Sequence, residues 1–416
     1  MQRIRMSLPY FTQFGWEPAI VTVYPKYTEM VKDDLLVLGL PQDLVIYKVK
    51  ALNKKITSKF GLGSLALRSL WYYWRRVNQI LKHEKYDLVY FSTTEFPVCI
   101  LGAYWKRRFG VPYVIDMQDP WHSEYYRDKP REQRPPKYWF SYRLNKFLEP
   151  IAMKQVDGLI SVSQSYIEDL KQRYPSVTQI PADTITFGAF EPDIQIAEKH
   201  RDTYNTIPDP ATINLVYVGR GGNDMHPAVS KLFAAFKTGL TVEPERFRKL
   251  RMYFIGTSYA PAGKGQQTIM PVAKIFDIQD NIVELPGRIS YFHTLLTLNQ
   301  ADAVFIPGSD DPKYTASKIY PYLLVKKPLL AIFNPESSSI RILKEYGVSH
   351  VFDFISATDD DILDFLREVT EGRLAADDYN REAIEKYSAR RMTAKQCALF
   401  DKVINGKNQT DIRLYI

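Results

Sequence analysis

The sequence predicts an α/β protein made of two doubly wound domains facing each other across a cleft. Short, largely apolar runs such as INLVYV at 213–218 and LLAIF at 329–333 have strand length without polar alternation. Strands of that kind are buried on both faces of a parallel sheet. Segments of helical length lie between the runs, as parallel neighbours require. The runs also form two series, separated by the polar, proline-bearing stretch RDTYNTIPDP at 201–210, which has the character of a linker. The expected boundaries are 1–205 for the first domain, 206–385 for the second, and 386–416 for a C-terminal helix packing back toward the first, followed by a frayed tail.

Taken in order, residues 3–14 read as a helix stopped by Gly15, and 17–24 (EPAIVTVY) as a strand. The chain therefore opens inside a helix-to-strand step, without the central strand and glycine-rich turn that begin a doubly wound domain. Further strands are expected at 44–49, 87–92, 111–116, 158–162 and 184–187. The second series runs through 213–218, 250–255, 282–285, 303–306 and 329–333. Residues 376–404 read as helical with a break near Tyr387 and Ser388, and 405–416 as a polar end that frays. The stretch 314–330, YTASKIYPYLLVKKPLL, holds a turn, a buried helix and a buried strand. Ser317 stands where a helix N-cap would, with Lys318, Tyr320 and Tyr322 on the first turn, and a helix start at a strand's carboxyl end favours anions. The same spacing also fits an ordinary connection between strands.

Composition narrows the function classes. With 416 residues, two or three domains are expected. No apolar run approaches the roughly 18 residues of a membrane-spanning helix, and the first residues lack signal-peptide character. Cys99 and Cys397 indicate neither a disulfide framework nor a thiolate metal site, so a cytoplasmic protein is expected. The formal charge of +8 is uneven. Between residues 48 and 82 stand Lys48, Lys50, Lys54, Lys55, Lys59, Arg68, Arg75, Arg76 and Lys82 with no acidic residue among them, interleaved with Trp71, Tyr72, Tyr73 and Trp74. Such a segment suits either an anionic membrane surface, on the inner membrane face, or a helix packing its aromatics on a sheet. No nucleic-acid partner is expected.

Chemistry concentrates at four turns. Gly219-Arg220-Gly221-Gly222 follows a buried strand and precedes a helix opened by Pro227; glycines admit a close phosphate and Arg220 can hold two of its oxygens, although the glycines alone would also mark a tight turn. Arg288 and Lys318 follow two other strands of the same domain, giving three cations at strand ends. In the first domain, Asp116, Asp119 and His122 follow the strand 111–116, suited to sugar hydroxyls or a proton, while Asp119 also suits a turn before Pro120. His83 and His293 read as structural. The scattered histidines and cysteines supply no metal motif, and neither a Walker A pattern nor a nucleophile elbow is present.

Together, GWEPAIVTV, YDLVYFSTTEFP, VPYVIDMQDPW, DGLISVSQSYIEDL, VYVGRGG, LPGRI, NQADAVFIPG, ASKIYPYLLVKKPLLAIF and YSARRMTAKQCALFDKVI resemble the successive landmarks of glycosyltransferase family 4, over nearly the whole chain. The resemblance implies a GT-B fold of two Rossmann-like domains and a retaining, metal-free and cofactor-free transfer of sugar from a nucleoside diphosphate to a glycan or lipid-linked acceptor. It implies that Gly219, Arg220, Gly221 and Gly222 hold the diphosphate, that Arg288 and Ile289 face the base, and that Ser317, Lys318 and Tyr320 line the phosphate and ribose. His226 stands where the family has a phosphate-gripping lysine. Asp119 is the leading catalytic candidate and His122 the second. The family's paired glutamates fall at Lys313 and Pro321, and its opening strand and glycine-rich loop have no counterpart ahead of Met1. A non-catalytic nucleotide-sugar binder and a nucleotide-sugar epimerase on the same fold are the alternatives.

Overall fold

The computed structural model describes residues 2–28, 31–131, 134, 137–258, 260, 263–312 and 317–411. Its contacts divide the chain into two compact units, 1–30, 40–188 and 389–416 in one, 31–39 and 189–388 in the other.

The first unit holds two parallel sheets. Strands β1 (Ala19–Val23) and β2 (Val45–Val49) pair with each other, and β3 (Val89–Ser92), β4 (Tyr113–Met117), β5 (Gly158–Ser161) and β6 (Ala182–Thr184) pair in that order. The helices are α1 (Gln2–Ser7), α2 (Lys54–Thr57), α3 (Leu65–His83), α4 (Ile100–Phe109), α5 (Tyr138–Met153) and α6 (Gln164–Arg173), with a C-terminal helix, Ala389–Asp411, added from the far end of the chain. Side chains of β4 alternate between two cores. Tyr113, Ile115 and Met117 enter the core that contains Trp105, Leu148 and Met153. Val114 points the other way, into a core with Leu8, Phe11, Leu399, Phe400 and Val403. This alternation is the period of two of a strand, covered on both faces.

The helix expected over 3–14 is α-helical only to Ser7; Pro9 follows, and Leu8–Phe14 winds as a 3₁₀ helix that ends at Gly15 with φ of 79°. The strand expected at 184–187 lies two residues earlier. Ala182–Thr184 takes the register of Leu159–Ser161, while the carbonyls of Ile185 and Thr186 turn to accept hydrogen bonds from the Arg3 guanidinium.

The second unit is one six-stranded parallel sheet. Strands β7 (Ile213–Val218), β8 (Leu250–Ile255), β9 (Ile282–Leu285), β10 (Ala303–Pro307), β11 (Leu329–Phe333) and β12 (His350–Asp353) take the order β12-β11-β10-β7-β8-β9. The order reverses between β7 and β10, the switch point where such sheets hold ligands. Strand β12 was not among the expected ones, since only Val351 of its four residues is buried and the period of two never shows. The helices are α7 (Pro192–Lys199), α8 (His226–Val242), α9 (Pro244–Phe247), α10 (Met270–Ile275), α11 (Tyr291–Asn299), α12 (Ile319–Leu324), α13 (Ser338–Tyr346), α14 (Asp359–Thr370) and α15 (Arg381–Lys386). The C-terminal helix Ala389–Asp411 is α16. Residues 376–380, expected to be helical, are not; Asn380 instead caps α15, accepting from Glu382 N at 2.9 Å. The expected break at Tyr387 and Ser388 is present between α15 and α16.

Helix α12 begins at Ile319, not just after Ser317. Lys318 takes the N-cap place in the αR region without a side-chain cap, and the helix has 6 residues. Of the stretch 314–330, Tyr314, Thr315 and Ala316 lie outside the described residues, as does Lys313. Residues 412–416 of the expected frayed end do as well.

Candidate active site

At the switch point, β7 and β10 pair through Leu215 with Ala303 and Val216 with Val304, before their carboxyl ends. Beyond that pairing, the Tyr322 hydroxyl of α12 serves the end of β7: it accepts from Val218 N at 2.8 Å and donates to Val218 O at 3.2 Å. A buried strand end thus has its backbone satisfied by a side chain, as a dry crevice demands.

The glycine turn after β7 continues the ladder, with Gly219 N donating to Ile255 O at 2.8 Å and Gly221 N to Thr257 O at 2.9 Å. Its glycines are required by close packing, since none of the three has a positive φ. A Cβ on Gly219 would come within 2.4 Å of the Tyr217 hydroxyl, and one on Gly222 within 2.3 Å of Asp224 Oδ1. Both neighbours belong to a polar cluster. Tyr217 Oη donates to the Arg220 carbonyl at 2.7 Å and accepts from Lys318 Nζ, whose ammonium also sits 4.6 Å from the ring centroid. The Arg220 guanidinium is held by both Asp224 oxygens, at 2.7 and 2.5 Å, and Ser309 Oγ donates to Asp224 Oδ2 at 2.6 Å. Ser309 is buried at the end of β10, so the cluster joins both strands of the switch point.

These contacts set the charges. Burial alone would raise the Asp224 carboxyl, but the hydrogen bonds and charge of Arg220 and the Ser309 hydroxyl outweigh it, and the group titrates below its ordinary value. Burial, reinforced by Arg220 and Arg288, pushes the Lys318 ammonium well below the lysine range, with Asp224 opposing. Burial also lowers His226, whose Nε2 lies 3.1 Å from Thr268 O. Beside the cluster, a cavity of about 270 Å³ is lined by Arg220, Gly221, Gly222, Thr257, Lys264 and Thr268, among others. Buried Glu284 holds two of its lining residues, accepting from Thr257 Oγ1 at 2.7 Å and from the Thr268 amide, as well as from the amides of Ile269 and Met270.

The structure therefore brings Gly219, Arg220, Gly221, Gly222, His226 and Lys318 together. Arg288 is exposed, and its side chain lies over Gly256 at the end of β8; Ile289 is half-buried beside it. Ser317 is exposed. Tyr320 turns into the core instead, 2% exposed and 6.5 Å from the Tyr387 ring. Tyr217, Asp224 and Ser309 were missed by sequence reasoning. The spacing of Asp224, four residues after Arg220, was the available signal for an ion pair.

In the first unit, Asp119 is exposed whereas His122 is buried. The loop that carries them is fastened to α5: Trp121 Nε1 donates to Asn145 Oδ1 at 3.2 Å and His122 N to Glu149 Oε2 at 2.9 Å. The imidazole lies 4.8 Å from the Tyr142 ring, and burial together with the charge of Arg173 lowers its pKa. Asp116, at the same strand end, is committed to structure. It pairs with Arg3 at 2.8 Å and accepts from Tyr90, Ser92 and Gln118.

Of the basic residues at 48–82, Arg68 is buried and donates to the carbonyls of Leu52 and Tyr27. Trp71 is 53% exposed, with Arg75 stacked 5.5 Å from its centroid. Helix α3 thus packs one face inward and presents another to solvent. Among the described residues, no three of His, Cys, Asp and Glu converge as a metal ion would need, and no helix is long and apolar enough to cross a membrane.

Residues 28–186 match the family model described as Glycosyltransferase Family 4. No curated protein matches the chain. Among solved structures, the chain is similar to a UDP-forming α,α-trehalose-phosphate synthase from Burkholderia xenovorans, at 12% identity over 93% of this chain and 99% of that one, with a TM-score of 0.53. It is similar to sucrose-phosphate synthase from Thermosynechococcus elongatus, at 12% identity over 99% of this chain and 92% of that one, with a TM-score of 0.54. A third is the trehalose-6-phosphate structure from E. coli bound with UDP-2-fluoro glucose, at 9% identity over 96% and 100% of the two chains, with a TM-score of 0.50. At such identities the likeness establishes the fold.

Proposed function

From a Glycosyltransferase Family 4 segment at 28–186 on a GT-B fold, we propose that this chain transfers a sugar, with retention, from a nucleoside diphosphate to a glycan or lipid-linked acceptor, in surface polysaccharide or glycolipid synthesis. The observation that carries the reading is the convergence of Arg220 and Lys318, with Arg288 near enough to act on Lys318, at the switch point of the second unit. Arg220, Arg288 and Lys318 lie outside the segment matched by the family model, so their assignment rests on this geometry.

Chemically, the leaving group is a nucleoside diphosphate, and its charge grows as the glycosidic bond breaks. Fixed cations and backbone N–H groups in a sheltered crevice stabilise that charge more in the transition state than in the ground state. In this reading Arg220 exchanges the Asp224 carboxylate for phosphate oxygens, and the new anion favours the charged form of Lys318. The Gly221 and Gly222 backbone lines the cavity that receives the diphosphate, and Arg288 and Ile289 flank the base. The exposed Asp119 and the buried His122 are the acceptor-side candidates, Asp119 for a hydroxyl and His122 as a neutral imidazole. No metal enters the scheme, and turnover unchanged by a chelator is the expected outcome. A lipid-linked acceptor brings the enzyme to an anionic membrane face, for which the basic, aromatic stretch 48–82 is suited.

Incubation with a panel of nucleotide sugars, followed by release of nucleoside diphosphate, tests the reading; absence of turnover with every donor and acceptor class would sink it. The grip of Asp224 on Arg220 favours one alternative, a protein that binds nucleotide sugars without turning them over. Tight calorimetric binding without product would identify it.

A further inference from the structure

Among the described residues, helix α5 leaves one side largely uncovered. Its inward face buries Leu148, Ala152 and Met153, whereas Trp139 is 47% exposed, Phe140 48%, Phe147 68% and Ile151 40%. Scattered exposed apolar residues are ordinary, but four large ones on a single helix are not. Phe140, Phe147 and Ile151 follow the helical period along one stripe, with Arg143 and Lys146 exposed between them.

The patch continues beyond α5. The Phe140 ring lies over Gly61, so close that a Cβ there would meet its Cζ at 3.0 Å. Gly61 belongs to the turn between α2 and α3; Ile56 of α2 is 61% and Leu62 of the turn 42% exposed, and Lys54 and Lys55 of α2 and Lys59 of the turn are exposed as well. Acidic groups are scarce here among the described residues. Residues 48–82 contain none, and the single carboxylate of α5, Glu149, is buried and bonded by Arg173 and Tyr174. At one edge Glu124 accepts from Tyr142 and is paired with Arg127.

We propose that α5 and the α2–α3 turn together dock on an anionic lipid bilayer, with the rings of α5 among the headgroups and the lysines on the lipid phosphates. The inference deepens the acceptor side of the proposed function, since a lipid-linked acceptor is presented at such a surface. It moves the anchor from the tryptophans of α3, which the sequence singles out, to α5. The chemistry selects the occupant: exposed rings interleaved with exposed cations match an apolar layer under an anionic one. A symmetric pairing of two copies through this face would set the same cations against each other.

Flotation of the full chain with phosphatidylcholine vesicles, with and without phosphatidylglycerol, tests the proposal. Binding is expected to the anionic vesicles and to weaken with salt. Phe147→Asp with Ile151→Asp should lower the bound fraction roughly tenfold or more, as should Lys54→Glu with Lys55→Glu and Lys59→Glu. These positions are solvent-exposed, so unchanged melting temperatures are expected alongside the loss. The proposal is overturned by absent binding, by equal binding to neutral vesicles, or by an apolar variant that binds like the parent. A dimer in size-exclusion chromatography that Phe147→Asp dissolves would assign the face to a second copy and overturn it as well. Retained transfer to a water-soluble acceptor by the variants marks a defect in docking alone. Absence of turnover by the parent chain in both settings marks failure of the sugar-transfer reading instead.

Discussion

Arg220 illustrates how much a side chain's surroundings add to its identity. A guanidinium after a glycine turn reads as a phosphate ligand, yet in the free protein it is engaged by Asp224 in a bidentate pair. Two substitutions separate gripping from holding. Arg220→Ala should weaken nucleoside diphosphate binding by roughly 1.5 to 3 kcal/mol, the worth of a charged hydrogen bond. Asp224→Asn removes the competing carboxylate, so tighter binding, by roughly threefold to tenfold, is expected together with a lower melting temperature. Calorimetry on both variants checks the pair, and an unchanged affinity in Arg220→Ala removes this residue from the site.

Lys318 makes a prediction about protons. Its folded pKa is lowered, chiefly by burial, so the charged form is disfavoured in the folded protein. Its contribution to stability therefore rises with pH between the folded value and the ordinary lysine value, the reverse of a lysine gaining a partner. A diphosphate favours the charged form, so binding should take up protons at pH values between the lowered and the ordinary lysine value. Calorimetric enthalpies in two buffers of different ionisation enthalpy should then differ, and Lys318→Met should abolish the difference. Equal enthalpies for the parent protein would show that Lys318 is already charged or not involved.

Among the elements, the glycine turn is a packing device. Gly219→Ala would push a methyl into the Tyr217 hydroxyl and so disturb the link from Lys318 to the Arg220 carbonyl. A loss of about 1 to 3 kcal/mol in denaturant unfolding is expected, together with weaker nucleotide binding. Stability equal to the parent would mean that the turn relaxes freely. Helix α12 shows where sequence signals misplace an element. Ser317 has the chemistry of an N-cap, but the helix starts at Ile319, and its use at the site lies in the Tyr322 hydroxyl that completes β7. A tyrosine in a buried helix carries no local mark of the distant backbone group that it serves. Tyr320 and Tyr322, two residues apart, are both buried, and the Tyr322 hydroxyl bonds to the β7 backbone.

At the scale of the whole molecule, each compact unit is assembled from distant parts of the chain. Helix α16 covers one face of the β3–β6 sheet, where Leu399 and Phe400 join Val114, Ile160 and Ile185. In the other unit, Asp33 accepts from Phe292 N at 2.9 Å and from Tyr204 Oη at 3.2 Å, tying 31–39 to α11. Truncation after Ser388 should therefore expose the core of the first unit. Limited proteolysis of the truncated chain should digest residues 40–188 while 189–388 persists; equal resistance of both would contradict the assignment of α16.

Apolar runs marked the central strands of both units, because a strand buried on both faces must be apolar wherever it sits, and most of the expected runs lie within a few residues of the observed ones, whereas the half-exposed β12 went unmarked. Glycine and cation placement after β7 likewise marked the site before any geometry, since turn chemistry is local. Three-dimensional packing decided what local signals do not contain. It assigned Arg68 and Asp116 to buried structural contacts, Asp224 to Arg220, and Tyr320 to the core. It also left α5 with its rings in solvent. The reason is physical: a residue's type fixes what bonds it can make, but burial and partners far along the chain determine which of those bonds are made.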